Sequence, residues 1–129
     1  MASSHITTRG ISVTVEARFS PEHSAPARGH WFFLYTITIT NESDLTVQLV
    51  SRHWTITDED GHVEEVRGPG VVGEQPVLMP GESFEYTSGC PLTTASGFMS
   101  GTYQMVTPTG EQFDAEIARF DLQGPYTVH

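Results

Sequence analysis

Apolar and polar residues alternate with a period of two along most of this chain. Ile11, Val13 and Val15 are separated by single polar residues, and Trp31 begins a longer segment of the same kind. Successive side chains of a strand point to opposite faces, so this pattern predicts strands with one face in a core. Further alternating segments begin at Val47, Phe84, Met99 and Phe113. No window of useful length has the period of an amphipathic helix.

Turn signals between these segments indicate the fold class. Gly, Pro, Asn, Asp and Ser interrupt the chain about every ten residues, as in Thr107-Pro108-Thr109-Gly110. Short strands with frequent turns are typical of antiparallel sandwiches. We therefore predict an all-β chain folded as an antiparallel β-sandwich of about seven or eight strands. Its 129 residues fit a single domain, 1–129, in which the polar, aperiodic residues 1–9 are predicted to be a flexible arm.

The alternation breaks at two places, and each break indicates an irregularity in a strand. Leu49 belongs to one alternation phase and Trp54 to the other, so either a bulge or a strand that switches sheets is expected near Leu49-Val50. The last strand changes phase in the same way before Phe120, which predicts a second bulge near Ala118-Arg119.

A hairpin followed by a glycine-rich loop occupies the middle of the chain. Asp58-Glu59-Asp60-Gly61 is predicted to join two strands, and Gly68-Pro69-Gly70-Val71-Val72-Gly73 follows the second strand. The loop matches G-x-G-x-x-G as a string, but that motif binds phosphate only where it opens a helix. Pro76 and Pro80 prevent a helix here. A dinucleotide-binding fold is therefore excluded.

Several motifs in order along the chain resemble the ApaG family. They are Arg52-His53-Trp54, Gly70-Val71-Val72-Gly73-Glu74-Gln75-Pro76, Tyr86-Thr87-Ser88-Gly89 and Gly97-Phe98-Met99-Ser100-Gly101-Thr102-Tyr103. The resemblance runs from about Ile11 to Leu122 and implies a fibronectin type III-like, immunoglobulin-like sandwich. It also implies a link to cobalt and magnesium homeostasis. Similar domains of a eukaryotic F-box protein and a polymerase-interacting protein serve as interaction modules.

Two interpretations of the central segment remain open. The glycine loop could form an anion nest for phosphate or pyrophosphate with Arg52 and Arg67, or it could be a structural loop that Arg52 ties to a strand end. Arg52-His53-Trp54 could also anchor a protein interface, unless Trp54 belongs to the core. The candidate binding residues are Arg52, His53, Trp54, Arg67, Gly68, Gly70, Gly73 and Glu74.

Charge narrows the classes of partner. The chain has sixteen acidic residues, six arginines, no lysine and a net charge of −10. Such a chain repels nucleic acid and favours basic partners or cations, although acidity can also serve solubility alone. Neither a signal peptide nor a membrane-spanning run is recognisable, and the single Cys90 fits a reducing compartment, so a cytoplasmic location without membrane contact is expected.

The sequence predicts neither catalysis nor a metal centre. Cys90 has no basic neighbour in sequence, and the chain lacks a G-x-S-x-G elbow. The six histidines, His5, His23, His30, His53, His62 and His129, follow no ligand spacing. His53 and His62 could meet across the hairpin, and a hard cation could meet Asp58, Glu59 and Asp60, but solvated acids are the commoner case.

The resulting prediction is a noncatalytic binding or protein-interaction module without a cofactor. The alternative is a phosphate- or pyrophosphate-binding protein, or a hydrolase, that uses the Gly68–Gly73 loop. An exposed sheet edge or a flat apolar patch would favour the first, and a pocket lined by free amides would favour the second. The sequence leaves open whether the protein is a monomer or a homodimer.

Overall fold

The computed structural model describes residues 2–125 and folds them into two antiparallel sheets. One sheet has the order β1-β2-β3-β7, and the other has the order β5-β4-β8-β9 with β6 beside β4. The strands are β1 (Ala2–Thr8), β2 (Ile11–Phe19), β3 (Trp31–Asn41), β4 (Val47–Asp58), β5 (Val63–Pro69), β6 (Val77–Leu78), β7 (Ser83–Leu92), β8 (Ser96–Val106) and β9 (Gln112–Gln123). The predicted antiparallel β-sandwich is confirmed. Within this part of the chain, no helix is long and apolar enough to cross a membrane.

The strand that the sequence did not predict is β1. Residues 2–8 were expected to belong to a flexible arm, but they pair with β2 from Ala2 opposite Ala17 to Thr8 opposite Ile11. Arg9 and Gly10 join the two strands with φ of +50° and +81°, the conformation that a two-residue type I′ turn requires. The arm prediction is wrong because β1 is polar and half-exposed, and an edge strand of this kind has weak alternation.

Packing of β1 against β9 closes one side of the sandwich. The Ser4 hydroxyl donates to the Ala118 carbonyl at 2.9 Å, and the Glu116 amide donates to the Thr8 hydroxyl at 3.1 Å. On the opposite side, the outer edges of β5 and β7 have no strand partner among residues 2–125. The sandwich therefore has one closed side and one open side.

The core lies between the inner faces that the alternation predicted. Ile11, Val13, Phe33, Ile37 and Ile39 are fully buried. From the other sheet, Trp54 lies edge-on to Tyr35, with ring centroids 5.5 Å apart. Because Trp54 is only 3% exposed, it cannot anchor a surface patch, and the core interpretation of this residue is correct.

Both predicted bulges are present. The pairing of β4 with β8 shifts register between Leu49 and Ser51. The pairing of β8 with β9 shifts between Met99 and Gly101, where Ala118 and Arg119 lie opposite a single residue of β8. Each bulge lets a strand keep its apolar residues on the inner face although the sequence changes phase.

Candidate functional site

The Arg52 side chain ties the glycine loop to the end of β4. Arg52 is paired with Gly68 in β5, and its guanidinium lies so close that a Cβ on Gly68 would be 3.1 Å from Nη2. Its Nη1 donates hydrogen bonds to the carbonyl oxygens of Pro69 and Gly70, both at 2.9 Å. The sequence interpretation in which Arg52 secures a structural loop therefore matches the geometry.

The backbone amides of Gly70, Val71 and Glu74 donate hydrogen bonds within the protein. The Gly70 amide donates to the Val50 carbonyl at 2.8 Å, and Val71 and Glu74 exchange hydrogen bonds at 2.8 and 2.9 Å. The groups that the loop turns toward Arg52 are carbonyls, which are acceptors. An anion nest needs convergent free amides, so this geometry gives no support to the phosphate-binding interpretation.

Positive φ values explain two of the three glycines. Gly70 has φ of +59° and Gly73 has φ of +82°, a conformation that favours glycine. Val72, with φ of +43°, and Gly73 form a two-residue turn that joins the bridge between Val71 and Glu74. Gly68 has no positive φ and is needed because the guanidinium covers it. The Glu74 side chain is exposed, and its backbone closes the turn.

His53 and Arg67 lie on the outer face of the hairpin, away from Arg52. The two residues are paired across β4 and β5, and side chains alternate along a strand, so neither shares the face of Arg52. His53 Nε2 lies 2.8 Å from Glu65 Oε1, and Arg67 Nη2 lies 3.6 Å from the same oxygen. The hydrogen bond from His53, with the charges of Arg67 and His53, lowers the pKa of Glu65. Arg52 and Arg67 therefore do not converge on the loop as the anion-binding hypothesis required.

The acidic turn organises its own carboxylates. Asp58 Oδ1 accepts the backbone amides of Asp60 at 2.9 Å and His62 at 3.0 Å, and Asp58 Oδ2 lies 3.3 Å from His62 Nδ1. Burial raises the pKa of Asp58, but these hydrogen bonds outweigh it and leave the pKa below its usual value. Ligand atoms of Asp58, Asp60 and His62 lie within 4.8 Å of one another. The hydrogen bonds of the turn explain this grouping without a cation.

His53 and His62 each have a carboxylate partner of their own. His53 is bound to Glu65 and His62 to Asp58, so the hairpin does not bring the two together as the sequence allowed. His5 lies beside Thr14 and His23 beside Ser20. His129 lies outside the described residues.

A cleft that the sequence did not reveal opens between β5 and β7, with a volume of about 320 Å³. We call it the β5–β7 cleft. It is lined by Tyr35, Arg52, Trp54, Ile56, Glu64, Val66, Val71, Val72, Tyr86, Ser88, Gly89, Cys90, Pro91 and Met99. The shared alternation phase of Arg52 and Trp54 was a sequence signal that Arg52 faces inward. The position of the cleft had no such signal, because it depends on which sheet edges stay unpaired.

Burial changes the pKa values of three tyrosines, of which Tyr35 and Tyr86 line this cleft. The hydroxyls of Tyr86 and Tyr103 are 2.5 Å apart. Burial raises the pKa of both above the usual value, and it also raises the pKa of Tyr35. The charge of Arg52 acts in the opposite direction on all three phenols. The guanidinium is therefore electrostatically coupled to the tyrosines.

The Cys90 thiol in the cleft wall is protonated at neutral pH. Burial, with a further contribution from the negative charge of Glu64, raises the pKa of Cys90 to about 12. Its side chain is buried, and the thiolate is the reactive form of cysteine. This environment therefore suppresses nucleophilic reactivity.

These features define a small antiparallel β-sandwich with an arginine-secured glycine loop beside an open cleft. The model of the ApaG domain matches residues 21–107. The chain belongs to the ApaG family.

Curated relatives and solved structures support this assignment. Protein ApaG of Bradyrhizobium sp. (strain ORS 278) is 64% identical over 118 residues, which cover 92% of this chain and 91% of the relative. Protein ApaG of Beijerinckia indica is 58% identical over 120 residues, covering 93% and 92%. The crystal structure of an ApaA protein from Bordetella pertussis matches with a TM-score of 0.87 and 51% identity, covering 91% of this chain and 95% of that one.

A more distant match shows the fold alone. The C-terminal domain of wzt matches with a TM-score of 0.56 and 12% identity, covering 98% of this chain and 80% of that one.

Proposed function

We propose that this protein is a noncatalytic binding module that receives an extended segment of a partner protein along its open side. The observation that carries the proposal is that two sheet edges, β5 and β7, which have no strand partner among residues 2–125, border one cleft. Extended segments bind to such edges by adding a strand, with backbone hydrogen bonds for affinity and side-chain pockets for specificity. The exposed sheet edge was also the feature predicted to favour an interaction module over a phosphate binder.

The alternation of backbone hydrogen bonds along β7 identifies which of its N–H and C=O groups are available to a partner segment. The Asn41 amide donates to the Glu82 carbonyl at 2.9 Å, and backbone groups alternate in direction along an antiparallel ladder. It follows that Thr87 and Gly89 direct their N–H and C=O groups away from β3. Pro91 has the same outward phase and, having no N–H, is compatible with an edge.

The same reasoning applies to β5. The Gly70 amide donates to Val50 and the Asp58 amide donates to the His62 carbonyl, so Val63, Glu65 and Arg67 direct their backbone groups outward. Pro69 ends this edge, as Pro91 does near the end of β7. A bound segment would therefore have a limited length on each edge.

The absence of an activated nucleophile in the described residues supports a noncatalytic role. Cys90 is held as a thiol. The Ser20 hydroxyl lies 2.7 Å from His23 Nδ1, but Ser20 is 1% exposed. The Thr14 hydroxyl lies 2.8 Å from His5 Nδ1, and in residues 2–125 neither histidine has a carboxylate to orient it, as a catalytic triad requires.

Charge indicates the chemistry of the partner. With a net charge of −10, the module favours a segment that carries basic residues and repels nucleic acid. The partner and the module are proposed to meet in the cytoplasm. The link to cobalt and magnesium homeostasis remains a prediction from family resemblance.

Peptide selection with an edge-blocking variant tests the proposal. A random peptide library is selected against the purified chain, and the bound sequences are retested on Thr87→Pro, which removes one outward N–H. Thr87→Val is the matched control because it keeps the N–H. We expect Thr87→Pro to weaken binding by about tenfold or more, the loss of one well-made hydrogen bond of about 1.4 kcal/mol. Equal binding by the folded Thr87→Pro variant would refute strand addition at β7.

A further inference from the structure

Arg52 lines the β5–β7 cleft, and within residues 2–125 only Nη1 of its guanidinium donates hydrogen bonds. We infer that this cleft binds a carboxylate attached to an apolar group, with Nη2 and Nε of Arg52 as its donors. The carboxylate can belong to a free organic acid or to the C-terminus of a bound protein segment, and the second source rests on the proposed function. Either source supplies the same chemistry, an anionic pair of oxygens that matches the arginine fork.

Arg52 is held in place before any ligand arrives. Nη1 is fixed by the carbonyls of Pro69 and Gly70, and the guanidinium packs on Gly68. Nη2 and Nε have no acceptor among residues 2–125, and no carboxylate in that range forms an ion pair with Arg52. A side chain that is already ordered loses little further conformational entropy on binding. The remaining donors are therefore preorganised.

Apolar walls surround this charge. Trp54, Val71 and Met99 line the cleft together with the side chains of Tyr35, Tyr86 and Ser88. Its volume of about 320 Å³ falls in the range of small-ligand pockets, which are mostly apolar with a few fixed polar groups. This combination selects an acid with a compact hydrophobic body over a fully hydrated anion.

Glu64 limits the charge that the cleft accepts. Glu64 lines the same cleft, and its negative charge contributes to the raised pKa of Cys90. A second negative charge on a ligand would therefore be repelled. The cleft favours a monocarboxylate over pyrophosphate.

Titration of the ¹⁵N-labelled full chain with 3-phenylpropionate, followed by NMR, tests the inference. We expect the Arg52 Nε–H signal and the amides of β5 and β7 to shift. The neutral 3-phenylpropionamide and pyrophosphate should each bind at least about tenfold more weakly. Glu64→Gln should tighten binding of the acid. Equal affinity for acid and amide, or no shift of the Arg52 signal up to about 10 mM acid, would overturn the inference.

Two variants separate the cleft from the stability of the loop. Arg52→Lys keeps the charge but loses the fork, and it can also loosen the loop. Ser88→Leu instead fills the cleft without changing Arg52, and Thr87→Leu is its matched control on the opposite face of β7. We expect Ser88→Leu to abolish binding of 3-phenylpropionate and Thr87→Leu to preserve it. Unchanged binding by folded Ser88→Leu would contradict the assigned site.

Selected peptides with free or amidated C-termini distinguish the two sources. A preference of at least about tenfold for the free C-terminus, lost in Ser88→Leu, assigns the site to a chain terminus. Binding of 3-phenylpropionate without any peptide binding supports the carboxylate site and refutes the proposed function. Peptide binding that is indifferent to the carboxylate, together with no binding of the free acid, refutes the carboxylate site and leaves the proposed function intact.

Discussion

The hydroxyls of Tyr86 and Tyr103 form a 2.5 Å hydrogen bond across the two sheets. Tyr86 belongs to β7, the edge strand beside the cleft, and Tyr103 belongs to β8 in the middle of the other sheet. Both residues are buried, so each hydroxyl depends on the other for a partner. This bond links the open side of the sandwich to its core.

Because the two hydroxyls are partners, the effects on stability of removing them singly and together should not be additive. Tyr86→Phe or Tyr103→Phe leaves a buried hydroxyl without its partner, so each should lower the free energy of unfolding by about 1–3 kcal/mol. The double variant should lose less than the sum of the single losses. Urea unfolding of all four proteins measures this coupling. Strict additivity would contradict the mutual dependence of the two hydroxyls.

Gly70→Ala should destabilise the fold more than Gly73→Ala. Both glycines have positive φ, which costs a residue with a Cβ about 1 kcal/mol. A Cβ on Gly70 would also collide with the carbonyl of Glu74, whereas a Cβ on Gly73 would meet nothing within 4 Å. Thermal melts and urea unfolding compare the two. If Gly70→Ala unfolds like the parent while a measurable pyrophosphate affinity disappears, the structural role assigned to this loop is wrong.

Cys90 should react with a thiol reagent only after unfolding. Burial raises its pKa to about 12, and the side chain is 2% exposed, so both thiolate formation and access are suppressed at pH 8. Labelling of the native chain should be slow and should accelerate in concentrated urea. A short cysteine peptide under the same conditions serves as the control. Native labelling as fast as that of the peptide would contradict this environment.

The ion pair between Arg9 and Glu111 should make stability depend on pH. The hydrogen bond from Arg9, at 3.0 Å, lowers the pKa of Glu111. Because the folded-state pKa lies below the unfolded-state value, the pair stabilises the fold above the unfolded-state pKa. That contribution is lost as the pH falls through the folded-state pKa.

Arg9→Gln should consequently lower the melting temperature at pH 7 but not at a pH below the folded-state pKa of Glu111. NMR titration should also place the pKa of Glu111 nearer its usual value in this variant. Arg18→Gln is a suitable control, since Arg18 is exposed and forms no ion pair with the described residues. An equal loss of melting temperature at both pH values would instead indicate lost packing on Phe113, whose ring lies 4.6 Å from the Arg9 guanidinium carbon.

Local pattern determined much of the fold. The alternation that begins at Ile11 and Trp31 predicted which side chains enter the core, because successive residues of a strand face opposite sides whatever the strand pairs with. The phase changes near Leu49-Val50 and Ala118-Arg119 predicted bulges for the same reason. The inward orientation of Arg52 was available from its phase relative to Trp54. These properties depend on the chain within a few residues.

Tertiary structure decided the features that depend on distant segments. β1 is polar and became a strand because β2 and β9 supply its partners. Arg67 was separated from Arg52 by its position on the outer face of the hairpin. The cleft exists because β1 closes one side of the sandwich against β9, while on the other side β5 and β7 have no further strand partner in the described part of the chain. The edges of two sheets are brought together by segments far apart in sequence. The local periodicity of the sequence therefore does not predict which strand edges will pair or pack.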